Sequence, residues 1–239
     1  FLGAGFYSVG GRQIYIIRLD LNFTLRSEDD HPWGLYLTFR PTFGFYDFKP
    51  RDVSDFDFPD SVGTLSVPPG IEFRLPVLDN WLLKPFAEAG PVWEFDSDTV
   101  TWIYGLGVES RAEFPAHESR LLLWNTLLWA GNWESEISSA DDFVVFETTI
   151  EWRRLMGWTP GGHPTELGPL LRAEFYLDAL GISPPEGEPI EIDYRYEVGL
   201  TWGLSDRVLK WRMPIPRVGL TYRFGEGDSG YRLLFTTRF

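Results

Sequence analysis

Apolar and polar residues alternate one by one along most of the chain. The clearest case runs from Glu191 to Leu204, where the even positions are aromatic or aliphatic and the odd positions are charged or small. Successive side chains of a β-strand point to opposite faces, so this period predicts a strand that separates two different environments.

The alternation recurs often enough to predict twelve strands, with short connections that make neighbouring strands antiparallel. They lie at Phe1–Val9, Gln13–Arg26, Gly34–Tyr46, Leu65–Val77, Trp81–Phe95, Thr99–Phe114, Arg120–Trp133, Phe143–Leu155, Leu170–Leu180, Glu191–Leu204, Arg217–Phe224 and Gly230–Phe239. Pro68 and Pro69 interrupt the fourth strand, where a local irregularity is expected because proline has no N–H for the ladder. The even number of strands brings both termini to one side, which we expect to be periplasmic.

The apolar face of these strands carries almost no charge, whereas the outer face of a soluble sandwich would carry many. We therefore predict an all-β fold in which residues 1–239 form one domain, a single antiparallel up-and-down transmembrane β-barrel of about twelve strands. Apolar stretches are too short for a spanning helix. Aromatic residues make up 17% of the chain, which suits the two aromatic girdles of a membrane barrel.

The remaining composition excludes several classes of function. Cysteine is absent, so disulfides, thiolate metal sites and cysteine nucleophiles are ruled out. The formal net charge of −14 argues against a nucleic-acid partner, whose phosphates require a basic surface. No cofactor is expected. Because the chain begins at Phe1 without methionine, we expect a processed or trimmed form.

The polar face carries arginines and carboxylates in similar numbers. Buried charges need partners, so we predict a charge network in the barrel lumen in which basic and acidic sectors face each other. Its members are Arg40, Arg74, Glu109, Arg111, Glu147, Glu151, Arg153, Arg172, Glu174, Asp193, Arg195, Glu197, Arg217, Arg223 and Arg232. Long paired side chains in a barrel of this size indicate a narrow or occluded pore.

The last strand presents Tyr231, Leu233, Phe235 and Phe239 on one face. This segment resembles the terminal strand of bacterial outer-membrane β-barrels. The resemblance implies a location in the outer membrane, contact with its lipids and lipopolysaccharide, and recognition of the strand by the barrel assembly machinery. With the strand count, the chain is similar to the translocator domain of autotransporters, and most similar to solitary autotransporter-like barrels. A translocator role would require an upstream passenger.

Three other features leave alternatives open. His117 and Ser119, with Asn125 and Asn132 on the adjoining strand, resemble the histidine, serine and asparagine of an outer-membrane phospholipase family, which makes a lipid hydrolase an alternative. No catalytic residue is assigned. The loop acids Asp55, Asp57 and Asp60 lack a metal-binding spacing, and no metal is predicted.

The strand around Trp124, Leu127 and Trp129 is apolar on both faces. It could form a contact between barrels, an apolar patch in the lumen beside Phe86 and Ile103, or lipid-facing packing.

The sequence thus predicts an integral outer-membrane β-barrel with a narrow or occluded, charge-paired pore. A selective channel for a small polar solute is a further alternative. We expect heat-modifiable migration in gels, and migration unchanged by boiling would contradict the barrel.

Overall fold

Twelve strands form the wall of the molecule in the part of the chain that the structure describes. The computed structural model describes residues 2–9, 12–46, 63–95, 98–133, 142–182, 190–205, 209–210, 213–214, 217–225 and 228–236. The strands are Leu2–Val9 (β1), Arg12–Leu19 continued by Leu21–Arg26 (β2), Gly34–Phe39 continued by Thr42–Tyr46 (β3), Thr64–Ser66 continued by Pro69–Leu78 (β4), Trp81–Glu94 (β5), Thr99–Ala116 (β6), Ser119–Trp133 (β7), Asp142–Met156 (β8), Thr165–Ile182 (β9), Ile190–Leu204 (β10), Arg217–Gly225 (β11) and Asp228–Thr236 (β12).

The sheet closes on itself. Each strand pairs antiparallel with the next, and β12 pairs with β1 from Leu2↔Phe235 to Val9↔Asp228. Closure removes unpaired sheet edges, which cannot face lipid. The predicted antiparallel barrel is confirmed, and its first and last described residues lie at the same end.

Smaller elements occupy the connections. A 3₁₀ turn spans Pro160–Gly162, and the two-residue strand Leu209–Lys210 pairs with Met213–Pro214. In the described part of the chain, no helix is long and apolar enough to cross a membrane.

A row of prolines, formed by Pro41, Pro68 and Pro91, interrupts the backbone hydrogen bonds between strands in the first half of the barrel. Leu19 N–H donates to Pro41 O at 3.0 Å, and Val67 N–H donates to Pro91 O at 3.1 Å. Neither proline can donate a bond in return, so β2, β3 and β4 are each split there. The pairing register is the same on both sides of each gap. The irregularity expected at Pro68 is therefore present, and it extends laterally over neighbouring strands.

The outer wall is apolar. Large side chains remain exposed along the middle of the strands, among them Leu106, Val108, Leu127, Trp129, Ile150, Trp152, Leu171, Val198, Leu200 and Leu220. Such a continuous exposed apolar band would be unfavourable in water, and it fits the hydrocarbon of a bilayer.

Aromatic side chains mark both ends of this band. Toward one end, the rings of Tyr194, Tyr196 and Phe224 contact each other with centroid distances of 5.5 and 5.9 Å. Toward the end that holds the termini, Trp158 stacks on Trp202 at 5.7 Å. Amphipathic rings favour the membrane–water interface, so these groups fit two girdles.

Candidate functional site

The inward face of the barrel holds a dense set of charged side chains. Arg217 is fully buried, and Glu151 and Arg153 are each 2% exposed. Because the side-chain period of a strand is two, one register directs all these groups inward and the apolar residues outward. Buried charges require partners, and three groups of contacts supply them.

The first group lies on β2 to β6. Arg40 Nη1 donates to Glu88 Oε2 at 2.6 Å, and Arg40 Nε lies 3.7 Å from Asp20 Oδ1. Lys84 contacts Glu109 on the adjacent strand, and its Nζ lies 3.8 Å from Glu72. The contacts join strands that are neighbours or two apart, and they neutralise the cations of this wall.

A turn residue extends the first group toward the end that holds the termini. Glu28 accepts hydrogen bonds from Tyr36 and, at 3.0 Å, from Arg74 Nη1. The Arg74 guanidinium also lies 3.6 Å from the centroid of the Tyr36 ring. Burial raises the pKa of Glu28, but the hydrogen bonds from Tyr36 and Arg74 outweigh it, so the pKa lies below its ordinary value. This carboxylate therefore ties the turn between β2 and β3 to the wall.

The second group is a chain of alternating cations and carboxylates on β7 to β11. Arg153 Nη2 donates to Glu151 Oε2 at 2.9 Å, and Arg217 lies 3.6 Å from the other oxygen of Glu151. Arg217 Nη1 donates to Glu166 at 3.1 Å, and Arg120 Nη2 donates to the same oxygen at 2.8 Å. Each carboxylate is shared by two guanidinium groups, and Arg153 stands at one end of the chain.

Small residues let the charged side chains of the second group pack closely. The Thr201 hydroxyl donates to Glu151 and accepts from Arg217 Nη2 at 3.1 Å. A Cβ atom at Gly168 would lie 2.8 Å from Glu151 Oε1 and 3.0 Å from the Thr201 hydroxyl oxygen. Glycine is therefore required at position 168 if the carboxylate is to keep its place.

The third group lies on β8 to β12. Arg172 lies 3.1 Å from Glu147 and 3.5 Å from Glu197, and Arg232 lies 3.4 Å from Glu197. Glu197 also accepts a hydrogen bond from the Thr221 hydroxyl.

Glu174 belongs to the same group and lies toward the end of the barrel away from the termini. It lies 3.5 Å from Arg223 and 4.0 Å from Arg195, whose Nη1 donates to the Tyr176 hydroxyl at 2.7 Å.

An internal cavity of about 730 Å³ remains between these groups. Its described lining residues come from every strand except β4, so the cavity is the barrel lumen and not a groove on the wall. It is far larger than the roughly 30 Å³ that one water occupies in the liquid. The cavity is lined by charged side chains and by apolar side chains, which include Phe86, Trp124, Leu128 and Leu170.

The structure places most of the predicted network residues in the lumen, but not all of them take part in the three groups of contacts. Most of them join the three groups, and Arg111 faces the cavity with its Cζ 5.8 Å from the centroid of the Trp124 ring. Asp193 is exposed. The pairs described above join strands that are neighbours or at most three apart, so they run along the wall. They do not have the facing-sector arrangement that the sequence led us to expect.

Several site residues, among them Asp20, Glu72, Lys84 and Glu88, lie on predicted strands but not in the predicted network. Three further members are harder to recognise in the sequence. Glu166 falls in the predicted loop Gly157–Gly168, although β9 begins at Thr165 and the period-two pattern continues through Glu166, Gly168, Leu170 and Arg172. Arg120 stands at the start of a strand whose polar face is obscured by leucines. Glu28 lies in a turn, where no alternation points to it.

The other candidate residues are also placed. His117 and Ser119 are at the turn between β6 and β7, where the Ser119 hydroxyl donates to Ala116 O at 3.0 Å. Tyr231 and Leu233 are exposed on the outer wall, whereas Phe239 lies outside the described residues. Asp55, Asp57 and Asp60 lie outside them as well.

The two-sided strand β7 divides its apolar residues between the two environments. Leu127 and Trp129 are exposed on the outer wall, as lipid-facing packing requires, and Trp124 lines the cavity. The lumen therefore contains an apolar patch beside Phe86.

A closed barrel with an apolar outer wall, aromatic ends and a charged interior defines the class of transmembrane β-barrels. No protein-family model and no curated protein sequence matches the chain. Among solved structures it is similar to the translocator domain of the autotransporter NalP from Neisseria meningitidis (TM-score 0.58, 9% identity, covering 97% of this chain and 83% of that one).

Two further structures have the same architecture. One is the β domain of the Bordetella autotransporter BrkA, with a TM-score of 0.56 and 8% identity, covering 97% of this chain and 94% of that one. The other is the NanC porin, with a TM-score of 0.51 and 8% identity, covering 100% of this chain and 98% of that one. The chain thus has the fold of bacterial outer-membrane barrels, and with its apolar wall this fold places it in the outer membrane.

Proposed function

We propose that the protein is a narrow outer-membrane pore that admits water and small polar solutes. The observation that supports the proposal is the cavity of about 730 Å³ enclosed by the closed ring of strands. A barrel whose charges only filled its interior would leave no such space. Polar and charged walls keep a lumen wet, because their unsatisfied groups favour water.

The width of the pore is set by long side chains that project from the wall. Arg40 reaches from β3 past β4 to Glu88 on β5, and Arg232 reaches from β12 past β11 to Glu197 on β10. Ion pairing holds these side chains against the wall, so the network defines a constriction without closing the cavity.

Single-channel conductance in a planar bilayer tests this function. The intact protein should give small, stable steps that increase with salt concentration. Arg40→Ala shortens a side chain that lines the lumen and should enlarge the steps. Leu220→Ala shortens a side chain on the outer wall to the same methyl group and should leave them unchanged. Silence at every salt concentration would overturn the proposal.

A further inference from the structure

One corner of the lumen combines an apolar surface with a buried arginine. Trp124 on β7 lies opposite Arg111 on β6 and opposite Thr149 on β8. The Cζ atom of Arg153 lies 5.9 Å from the centroid of the Trp124 ring, within the range of a cation–π contact. Arg153 and Trp124 both line the cavity.

Leu128 continues the apolar surface along the wall. It lies opposite Gly107 on β6, and Phe86 on β5 lies opposite the same glycine. A Cβ atom at position 107 would be 2.7 Å from Cζ of Phe86, so the ring of Phe86 occupies the space above the glycine. The surface thus extends from Trp124 over three adjacent strands.

Arg153 is the incompletely paired end of the second charge group. Its Nη2 donates to Glu151, a carboxylate that it shares with Arg217 and Thr201. Its Nε and Nη1 have no hydrogen-bond partner among the described residues, although both atoms are buried. Buried donors normally find an acceptor, and a charged donor needs one most.

The electrostatic balance of the lumen favours an anionic acceptor. The described residues that line the cavity include eight arginines and six carboxylates, whereas the whole chain carries a net charge of −14. The described lining of the lumen therefore carries an excess of positive charge, opposite in sign to the charge of the whole chain.

We propose that this corner binds a small carboxylate that carries an apolar ring. The carboxylate accepts from Arg153, and the ring packs against Trp124 and Leu128. Both donor atoms are buried, so binding requires a side-chain movement that opens them to the cavity. The inference deepens the proposed pore function and rests on it, because the solute reaches the corner through the lumen.

Benzoate is the probe, measured by titration calorimetry on the intact protein in detergent, with uptake by protein-free micelles subtracted. Benzamide has the same ring without the charge, and acetate has the charge without the ring. We expect saturable binding of benzoate, with benzamide weaker by about tenfold or more because it lacks the charge-assisted hydrogen bond.

Single substitutions test the two parts of the site, the arginine and the apolar surface, separately. Arg153→Met should weaken benzoate about tenfold or more, and Trp124→Ala should abolish the preference for benzoate over acetate. Arg18→Met removes an arginine that lines the same cavity but pairs with Asp20, and it should leave binding within about twofold. Arg153→Lys retains the positive charge and should still weaken binding, which guards against a folding defect in Arg153→Met. Heat-modifiable migration checks the fold of each variant.

Binding that is absent in the intact protein, or unchanged in both Arg153 variants, would overturn the inference. Conductance distinguishes this failure from failure of the pore. A protein that conducts without binding benzoate contradicts the binding site alone. A protein that binds benzoate at Arg153 without conducting contradicts the pore and supports the site.

Discussion

At the scale of single residues, Glu151 has the most consequential position in the lumen. It is buried and bridges Arg153, Arg217 and Thr201. Glu151→Gln keeps the shape but leaves two buried guanidinium groups without their shared countercharge. Because breaking a buried pair leaves an uncompensated charge, we expect a loss of about 3–5 kcal/mol in the free energy of unfolding, measured with urea in lipid vesicles.

Glu147→Gln is the matched control for that substitution. Glu147 pairs with Arg172 at 3.1 Å but is 27% exposed, so we expect a loss of about 1 kcal/mol or less. The double variant Glu151→Gln/Arg217→Gln should be more stable than Glu151→Gln alone, because it removes one of the uncompensated cations. Equal losses for Glu151→Gln and Glu147→Gln would show that the buried chain of charges does not stabilise the barrel.

Glu28 should make the stability of the barrel depend on pH in the acid range, through the turn between β2 and β3. Its pKa in the folded protein lies below the ordinary value of 4.5, so its contribution to stability is present above that value and is lost as the pH falls through the folded pKa. The stability difference between the parent and Glu28→Gln should therefore shrink on going from about pH 6.5 to pH 3. Urea unfolding at several pH values measures it, with Asp29→Asn in the same turn as the control. A difference independent of pH would contradict the pairing with Tyr36 and Arg74.

At the scale of elements, the row of prolines leaves β4 and β5 in close contact. A Cβ atom at Gly90 would lie 2.4 Å from Val67 O and 2.7 Å from the Cα atom of Pro68. Backbone atoms cannot move aside cheaply, so Gly90→Ala should destabilise the barrel by about 1–3 kcal/mol. At Gly105 on β6 the nearest atoms belong to side chains at 3.4 Å or more, and Gly105→Ala should be tolerated. Equal urea midpoints for the two variants would contradict the close approach.

The alternation of residues was sufficient to predict twelve strands and, for most of them, the face that each one presents, whereas β7 with its apolar residues on both faces was left open. A slip of one residue would expose the charges of Arg153 and Arg217 to lipid, so burial specifies the register strongly. The sequence could not reveal the extent of the gap at Pro41, Val67 and Pro91, because lateral alignment depends on the stagger of strands far apart in the chain. It also could not reveal the cavity beside Trp124, since barrel width depends on strand tilt and stagger.

At the scale of the whole molecule, the sign of charge differs between the lumen and the rest of the chain. The described lining contains eight arginines and six carboxylates, although the net charge is −14. Exposed charges more than about 10 Å away are screened at 0.1 M salt, so the lining should determine which ion passes. We therefore expect a preference for chloride over potassium, seen as the sign of the reversal potential across a salt gradient.

Arg18→Glu tests which charges govern that preference, because it would leave arginines and carboxylates equal in number in the described lining. The reversal potential should then move toward zero. Asp30→Lys shifts the net charge by two units in the opposite direction at an exposed turn, and it should leave the potential unchanged. A preference for potassium in the parent protein, or a larger response to Asp30→Lys than to Arg18→Glu, would mean that the acidic surface governs permeation. The arginines of the lumen would then serve mainly to hold the wall together.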